Sequence, residues 1–389
     1  VAAGPLLTRP GLPRQTDAEL HVYRAAELGH TLRAGAFYPR WAPDLYYGYG
    51  YPIFNYYAPL TYYLANGLDL LPGLDIVAGT KGVFVLGLLA ASVGAYLLGR
   101  DLFGASSGVV AAAAFSFAPY VVFIDPHARG DLAEHFAICL IPFALFAFRR
   151  LMEDEAGRGA LLGSVAALAG IVFAHALIGL VMGVLLAAYW AWLVILGPGR
   201  RRAGWGILAF GLASAVIAFY WLPFLLERRA IKLNVVGMGH FDFHEHFLSV
   251  GELLAPSRIL DLGATAPRFR YNLGLMQWLL ALMGAIVLSP VARRLSRESP
   301  PAQLHLAFFV LVSVGLILWM LPISTPGWEL LPGVTYLQFP WRLLGPANAA
   351  LAACAAAGLW LLPERWRGSA AAVSVLLILV LALPVLYPP

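Results

Sequence analysis

The chain has 389 residues, 60% of them hydrophobic and 12% charged, with a mean hydropathy of +0.75. This balance excludes an ordinary soluble domain and fits a multi-span membrane protein. The formal charge of +5 then reports orientation across a bilayer and is no sign of nucleic-acid binding.

Residues 1–76 read as an outer head segment, and 77–389 as a transmembrane bundle. In the head, the stretch TDAELHVYR at 16–24 gathers two carboxylates, an imidazole and a guanidinium in a chain that otherwise avoids charge. These residues predict a helix over 17–34, capped by Thr16 or Asp17 and stopped by Gly35 before Pro39. Spacing of i, i+4 and i+7 puts Asp17, His21 and Arg24 on one face, with Glu19, Tyr23 and Glu27 on a neighbouring stripe. Two readings fit. Asp17 is a general base whose pKa burial tunes and whose charge His21 and Arg24 balance, or the helix is interfacial with a solvated polar face.

The next segment, 36–63, carries twelve aromatics in 28 positions, interleaved with Pro39, Pro43, Pro52, Pro59, Gly48 and Gly50, so it is not a regular helix throughout. It is either an aromatic belt at headgroup level or a platform for a carbohydrate or lipid headgroup, with rings for stacking and Asp44 and Asn55 for hydroxyls.

Apolar runs long enough to cross a bilayer as helices recur at 77–98, 106–123, 132–148, 160–177, 179–196, 205–226, 272–289, 304–321, 344–362 and 369–387. They show no strand-like alternation, so the expected fold is an all-α integral membrane bundle of about ten spans. A start at Val1 and a stop at Pro389 suggest a piece of a longer chain, with one more span upstream. Cys139 and Cys354 fall inside spans and read as small apolar residues.

Alternate connections near 99–105, 149–159, 197–204, 289–303 and 363–368 hold Arg100, Arg149, Arg150, Arg158, Arg200, Arg201, Arg202, Arg293, Arg294, Arg297, Arg365 and Arg367. The positive-inside rule makes that side the cytoplasm. The head, the turn 124–131 and the loops 227–271 and 322–343 then share the outer face of what reads as a bacterial inner membrane. The turn IDPHARGDLAEH supplies Asp125, His127, Arg129, Asp131, Glu134 and His135, ionisable groups that are costly at membrane depth and often functional there. Arg129 is either a ligand for a donor phosphate or the partner of Asp131 or Glu134 in a self-neutralising pair.

His175 stands in a turn between two spans, as an interfacial residue or a phosphate contact. Asp242, His244 and His246 lie close together and suit a divalent metal by ligand type, or form a solvated surface loop. Arg342, in QFPWR, is an interfacial anchor or a second phosphate ligand.

The run DAELHVYRAAELGHTLRAGAFYPRWAPDLYYGYGYPIFNYYAPLTYYL, then FAPYVVFIDPHARGDLAEHFA, FAHALIG and YLQFPWRLL, resembles a bacterial family of large integral membrane proteins labelled as related to 6-pyruvoyl-tetrahydropterin synthase. No zinc-binding histidine pattern supports pterin synthesis, so the label is a name and not a function. The family's plan is similar to that of the GT-C membrane glycosyltransferases, which use polyprenyl-phosphate sugars. That resemblance implies an acidic catalytic base or metal ligand in the first outer loop, at Asp17 by position, with Glu19 in reserve. The candidate substrate-binding residues are His21, Arg24, Asp44, Asn55, Tyr57, Arg129, Glu134, His175 and Arg342. A lysine found in the following loop of some aminosugar transferases has no counterpart in FNYYAPL, where Asn55, Tyr56 and Tyr57 stand.

The expected function is transfer of a sugar from a polyprenyl-phosphate donor to an acceptor on the outer face, with membrane lipid and other membrane subunits as further partners. No cofactor is certain, and a divalent metal stays open. The rivals are a non-catalytic subunit of a membrane complex and a lipid-linked saccharide transporter. An ATP-binding loop is absent from the sequence, and no inverted repeat favours transport.

Overall fold

In the computed structural model the described residues are helical or irregular, apart from one isolated antiparallel bridge between Ala42 and Tyr51. The structure describes residues 1–9, 11–12, 17–153, 157–231, 238–258, 270–289 and 300–386. Thr16 and the arginines Arg293, Arg294 and Arg297 lie outside them.

The head contributes α1 (Ala18–Arg33) and α2 (Leu60–Asp69). Asp17 occupies the N-cap position of α1, but its side chain makes no capping bond and is left for other work. The bundle follows as α3 (Ile76–Phe103), α4 (Ala105–Ser116), α5 (Leu132–Leu151), α6 (Arg158–Ala174), α7 (Ala176–Leu196), α8 (Ala203–Val216), α9 (Ala218–Leu226), α10 (Leu275–Ile286), α11 (Pro300–Trp319), α12 (Leu344–Ala357) and α13 (Glu364–Leu386).

All ten expected spans fall on helices, and seven of these are long and apolar enough to cross a membrane. The expected span 205–226 is broken, with α8 and α9 meeting at 71°. Two more helices, α6 and α10, have 17 and 12 residues. Apolarity along the chain does not reveal a bend, because a broken helix can keep the same composition.

Close approach holds the bundle together, since apolar side chains gain little by leaving lipid for protein. The helix α12, LGPANAALAACAAA, is small-residue-rich and buried throughout, so it forms the centre of the bundle. Gly284 on α10 lies so close to the Cys354 carbonyl of α12 that any Cβ there would collide with backbone. By contrast α7 and α13 are only one-third buried, as peripheral helices facing lipid should be.

After α4 the chain enters a π-helical segment, Tyr120–Arg129, that contains Pro126. Pro126 brings no backbone donor, and a wide turn tolerates that loss better than a regular helix does. Gly130 ends it in the left-handed region at φ 70°, a conformation that costs glycine little. The segment thereby delivers Arg129 and Asp131 to one end of the bundle.

Connections gather at two ends. At one, Arg149 pairs with Asp101, and Trp360 Nε1 donates to the Phe103 carbonyl at 3.1 Å. At the other, the Asp17 N–H donates to the Arg129 carbonyl at 2.8 Å, and Arg342 pairs with Glu134. The head is joined to this second end.

Candidate functional site

The site is centred on Arg129. Its Nη1 donates to the Tyr120 hydroxyl at 3.0 Å and to Asp125, while Nη2 donates to Asp131 Oδ2 and Glu134 Oε2, each at 3.2 Å. The guanidinium also lies 4.7 Å over the Trp341 ring, which is stacked between Phe339 and Tyr271. Glu134 accepts further bonds from Tyr120 at 2.6 Å and from Arg342 Nε at 2.9 Å. Three carboxylates and two guanidiniums are thus buried together. Charges at this depth persist only when several hydrogen bonds replace their water, and this network supplies them.

The head helix docks on that network. His21 is buried, with Nδ1 2.9 Å from the Tyr62 hydroxyl and Nε2 3.6 Å from Asp131 Oδ1. Arg24 Nη1 donates to the same hydroxyl at 3.4 Å, and its guanidinium covers the Tyr57 ring at 4.4 Å. Burial pushes the Tyr62 phenol up to about 12, so it stays a hydroxyl, able to accept from Arg24 and donate to His21 Nδ1. The other ring nitrogen of His21, Nε2, faces Asp131.

Burial alone would raise the Asp131 carboxyl, but His21 and Arg129 hold it well below the usual carboxylate range. Asp17, partly buried beside it, moves the other way: burial first, and then the charge on Asp131, raise it above the ordinary value. One neighbour is held ionised while the other is made more basic, the environment a general base requires.

Helical spacing puts Asp17, His21 and Arg24 on one face as expected, but His21 and Arg24 turn to Asp131, Tyr62 and Tyr57. Arg129 engages Asp131 and Glu134 at once, so both pair partners drawn for it are in place. His175 caps α7 by accepting from the Ile178 N–H at 3.2 Å and meets Tyr57 edge to face. Its ring lies with Asp131 and Glu134 in the one group of His, Cys, Asp or Glu among the described residues whose three donor atoms fall within 4.8 Å of one another.

Other expected residues lie apart from this network. Glu19 is exposed. Asp44 is exposed, and its backbone N–H donates to the buried Glu27 at 2.9 Å. Asn55 is buried but bonds Arg40 and Glu227. In the 240–246 loop, His244 Nδ1 lies 2.6 Å from Asp242 and its Nε2 3.2 Å from Glu329, whereas His246 bonds the His240 carbonyl. Two residues of the network escaped the sequence reading, Tyr62 and Tyr120. Their hydroxyls are hubs, but tyrosines in aromatic-rich or apolar runs look like ordinary packing residues.

A cavity of about 960 Å³ opens between α6, α7, α8 and α9. Leu168, Val172, Leu180, Val184, Phe210 and Trp221 are among the apolar side chains that wall it, while Arg228, Tyr336 and Gln338 bring polar groups to it. Gln338 Oε1 accepts from Arg342 Nη1 at 2.9 Å. One unbroken path therefore runs from the groove through Gln338, Arg342, Glu134 and Arg129 to Asp131, beside Asp17.

Residues 54–388 match the model of a membrane-protein family described as the 6-pyruvoyl-tetrahydropterin synthase related domain. The chain belongs to that family. No curated protein matches the sequence. In fold, this family member is similar to the arabinofuranosyltransferase AftD from Mycobacteria, at TM-score 0.58 and 18% identity over 98% of this chain and 26% of AftD. It is also similar to ArnT from Cupriavidus metallidurans bound to undecaprenyl phosphate, at TM-score 0.52 and 15% identity over 92% of this chain and 59% of ArnT. The oligosaccharyltransferase of Archaeoglobus fulgidus follows at TM-score 0.51 and 13% identity, over 98% of this chain and 52% of that one. The fold is that of the GT-C membrane glycosyltransferases, and the chain spans from about a quarter to three-fifths of the length of these neighbours.

Proposed function

We propose that the protein moves a sugar from a polyprenyl-phosphate donor to an acceptor at the outer face of a bacterial inner membrane. The observation that carries this reading is the chain of hydrogen bonds that links the apolar groove to Asp131, beside Asp17. A groove of about 960 Å³ suits an isoprenoid chain, and a neighbour of the same fold holds undecaprenyl phosphate. The orientation is supported by Arg100, Arg149, Arg150, Arg158, Arg200, Arg201, Arg202, Arg365 and Arg367 on the connections opposite the site.

In this reaction Asp17 takes the acceptor hydroxyl proton as the oxygen attacks the anomeric carbon and the bond to phosphate breaks, a single displacement that inverts the centre. Arg342, one hydrogen bond from the groove-lining Gln338, stabilises the departing phosphate. Arg129 sets Asp131 and Glu134 in place, and His175 faces the same phosphate. By ligand type, Asp131, Glu134 and His175 suit a divalent cation. Arg129 and Arg342 already neutralise both carboxylates, so a metal would have to displace them.

A non-catalytic subunit is the second reading, and the mutual pairing of Arg129, Asp131 and Glu134 favours it. The two separate on donor binding. A Cβ at Gly183, on the groove wall, meets open space, so Gly183→Trp fills the groove without a backbone clash. Undecaprenyl phosphate should raise the thermal midpoint of the wild type in detergent and leave that of the variant unchanged. Equal shifts in both proteins, or none in either, would remove the groove from the donor site.

A further inference from the structure

The aromatic segment holds a feature that the transfer chemistry leaves unused. Residues 42–51 close into a small hairpin: Ala42 and Tyr51 exchange backbone bonds at 2.8 and 2.9 Å, and the Gly50 N–H donates to the Leu45 carbonyl at 2.9 Å. Tyr46 and Tyr47 occupy the left-handed region at φ 59° and 60°, followed by Gly48 and Gly50 at 83° and 81°. Two consecutive tyrosines there are strained, because a Cβ meets the neighbouring carbonyl in that conformation. Strain of this kind persists where the surrounding structure over-determines it, and it clusters at sites of function.

Its result is an outward display of rings. Tyr47 is fully exposed and Tyr49 nearly so at 86%, while Tyr46 is exposed yet stacked on Tyr51 with centroids 5.3 Å apart. The base is clamped: Glu27 takes the Asp44 N–H, and Arg40, just before the hairpin, is held by Asn55 and Glu227. The backbone that carries the rings is therefore held before any ligand arrives, which lowers the ordering entropy lost on binding.

We infer that this tyrosine hairpin is a binding platform for the acceptor, a neutral glycan chain whose flat C–H faces stack on Tyr46, Tyr47 and Tyr49. Charge decides against an anionic lipid surface. Between residues 41 and 51 there is no Lys or Arg, and the one charged residue, Asp44, is an exposed carboxylate. Composition decides against insertion into acyl chains, since the single aliphatic residue of real size, Leu45, is turned toward the core. Rings that combine an apolar face with a hydroxyl at the edge suit a sugar, which offers both. The choice of a glycan rests on the proposed glycosyl transfer, whereas the hairpin geometry does not.

The test is native affinity electrophoresis of the full chain in detergent gels cast with dextran, mannan or arabinogalactan, with Tyr46→Gly/Tyr47→Gly as the variant. Glycine relieves the left-handed strain, so the variant should keep or raise the thermal midpoint while removing two rings. The wild type should be retarded by at least one polysaccharide, and the variant should lose at least tenfold in apparent affinity. Asp17→Asn should keep wild-type retardation whatever becomes of transfer, which separates a failed platform from a failed reaction. Equal retardation of wild type and double variant, no retardation of the wild type by any of the three, or quenching of Trp41, packed against Gly50 of the hairpin, by brominated-lipid vesicles would overturn the assignment.

Discussion

The two ends of the bundle use the same side chains to opposite effect. At the arginine-rich end, Arg149 and Arg150 pair with Asp101 and Glu153, and Arg150 is 47% exposed. At the other end Arg129 and Arg342 are less than a tenth exposed, and each is bound to carboxylates as buried as itself. An exposed arginine such as Arg150 keeps its water, so no single partner matters much to it. Buried arginines have given water up, and every partner matters. The difference shows that an arginine's place in the bundle, more than its count, separates a topological signal from a site.

The comparison sets an order of expected effects. Glu134→Ala leaves two buried guanidiniums short of a partner and should cost roughly 3–5 kcal/mol, read as a collapse of the thermal midpoint in detergent. If the midpoint of this variant falls no further than that of Arg150→Ala, the buried network is not holding the fold.

Next comes Tyr62→Phe, which removes the hydroxyl shared by His21 and Arg24 and should cost about 1–3 kcal/mol. His21 would also lose its Nδ1 partner. A midpoint indistinguishable from the wild type would show that the relay seen here is not maintained.

At the exposed end, Arg150→Ala should change stability by less than about 1 kcal/mol. Asp242→Asn is of the same class. The acid is held below its ordinary value by hydrogen bonds from an exposed His244, so its loss should leave zinc or manganese retention and the midpoint unchanged. A metal lost with this variant would move the metal site to the 240–246 loop.

The pH dependence of transfer tests the same contrast. In the proposed reaction Asp17 acts ionised, and its folded pKa lies above the ordinary carboxylate value, so activity should be absent below that folded pKa and rise as the pH passes through it. For stability the sign is reversed. A raised carboxyl favours the protonated folded form, so its contribution is present below the unfolded pKa and is lost as pH rises through the folded one.

Much of this was legible in the sequence, in proportion to how local each feature is. The ten apolar runs all fall on helices because membrane helices satisfy their own backbone. The head helix was readable from its helix-forming residues, and Asp17, one of the two caps expected, stands at its N-cap position without a capping bond from its side chain. The arginine distribution separated the two kinds of connection before any contact was known.

What stayed hidden depends on distant partners. Spacing brought Asp17, His21 and Arg24 together, but the carboxylate that His21 faces comes from a turn more than a hundred residues later. The hubs Tyr62 and Tyr120 each serve several partners through one hydroxyl, which no local pattern records. The π-helical segment and the 71° bend are likewise invisible in composition.

The central claim is tested most directly by incubating the purified protein in lipid with a panel of polyprenyl-phosphate sugars and acceptor glycans, wild type beside Asp17→Asn. The wild type should transfer sugar with inversion, and the variant should be slower by a factor of about 100 or more. Equal transfer by both proteins, or none by the wild type from any donor, would contradict the account.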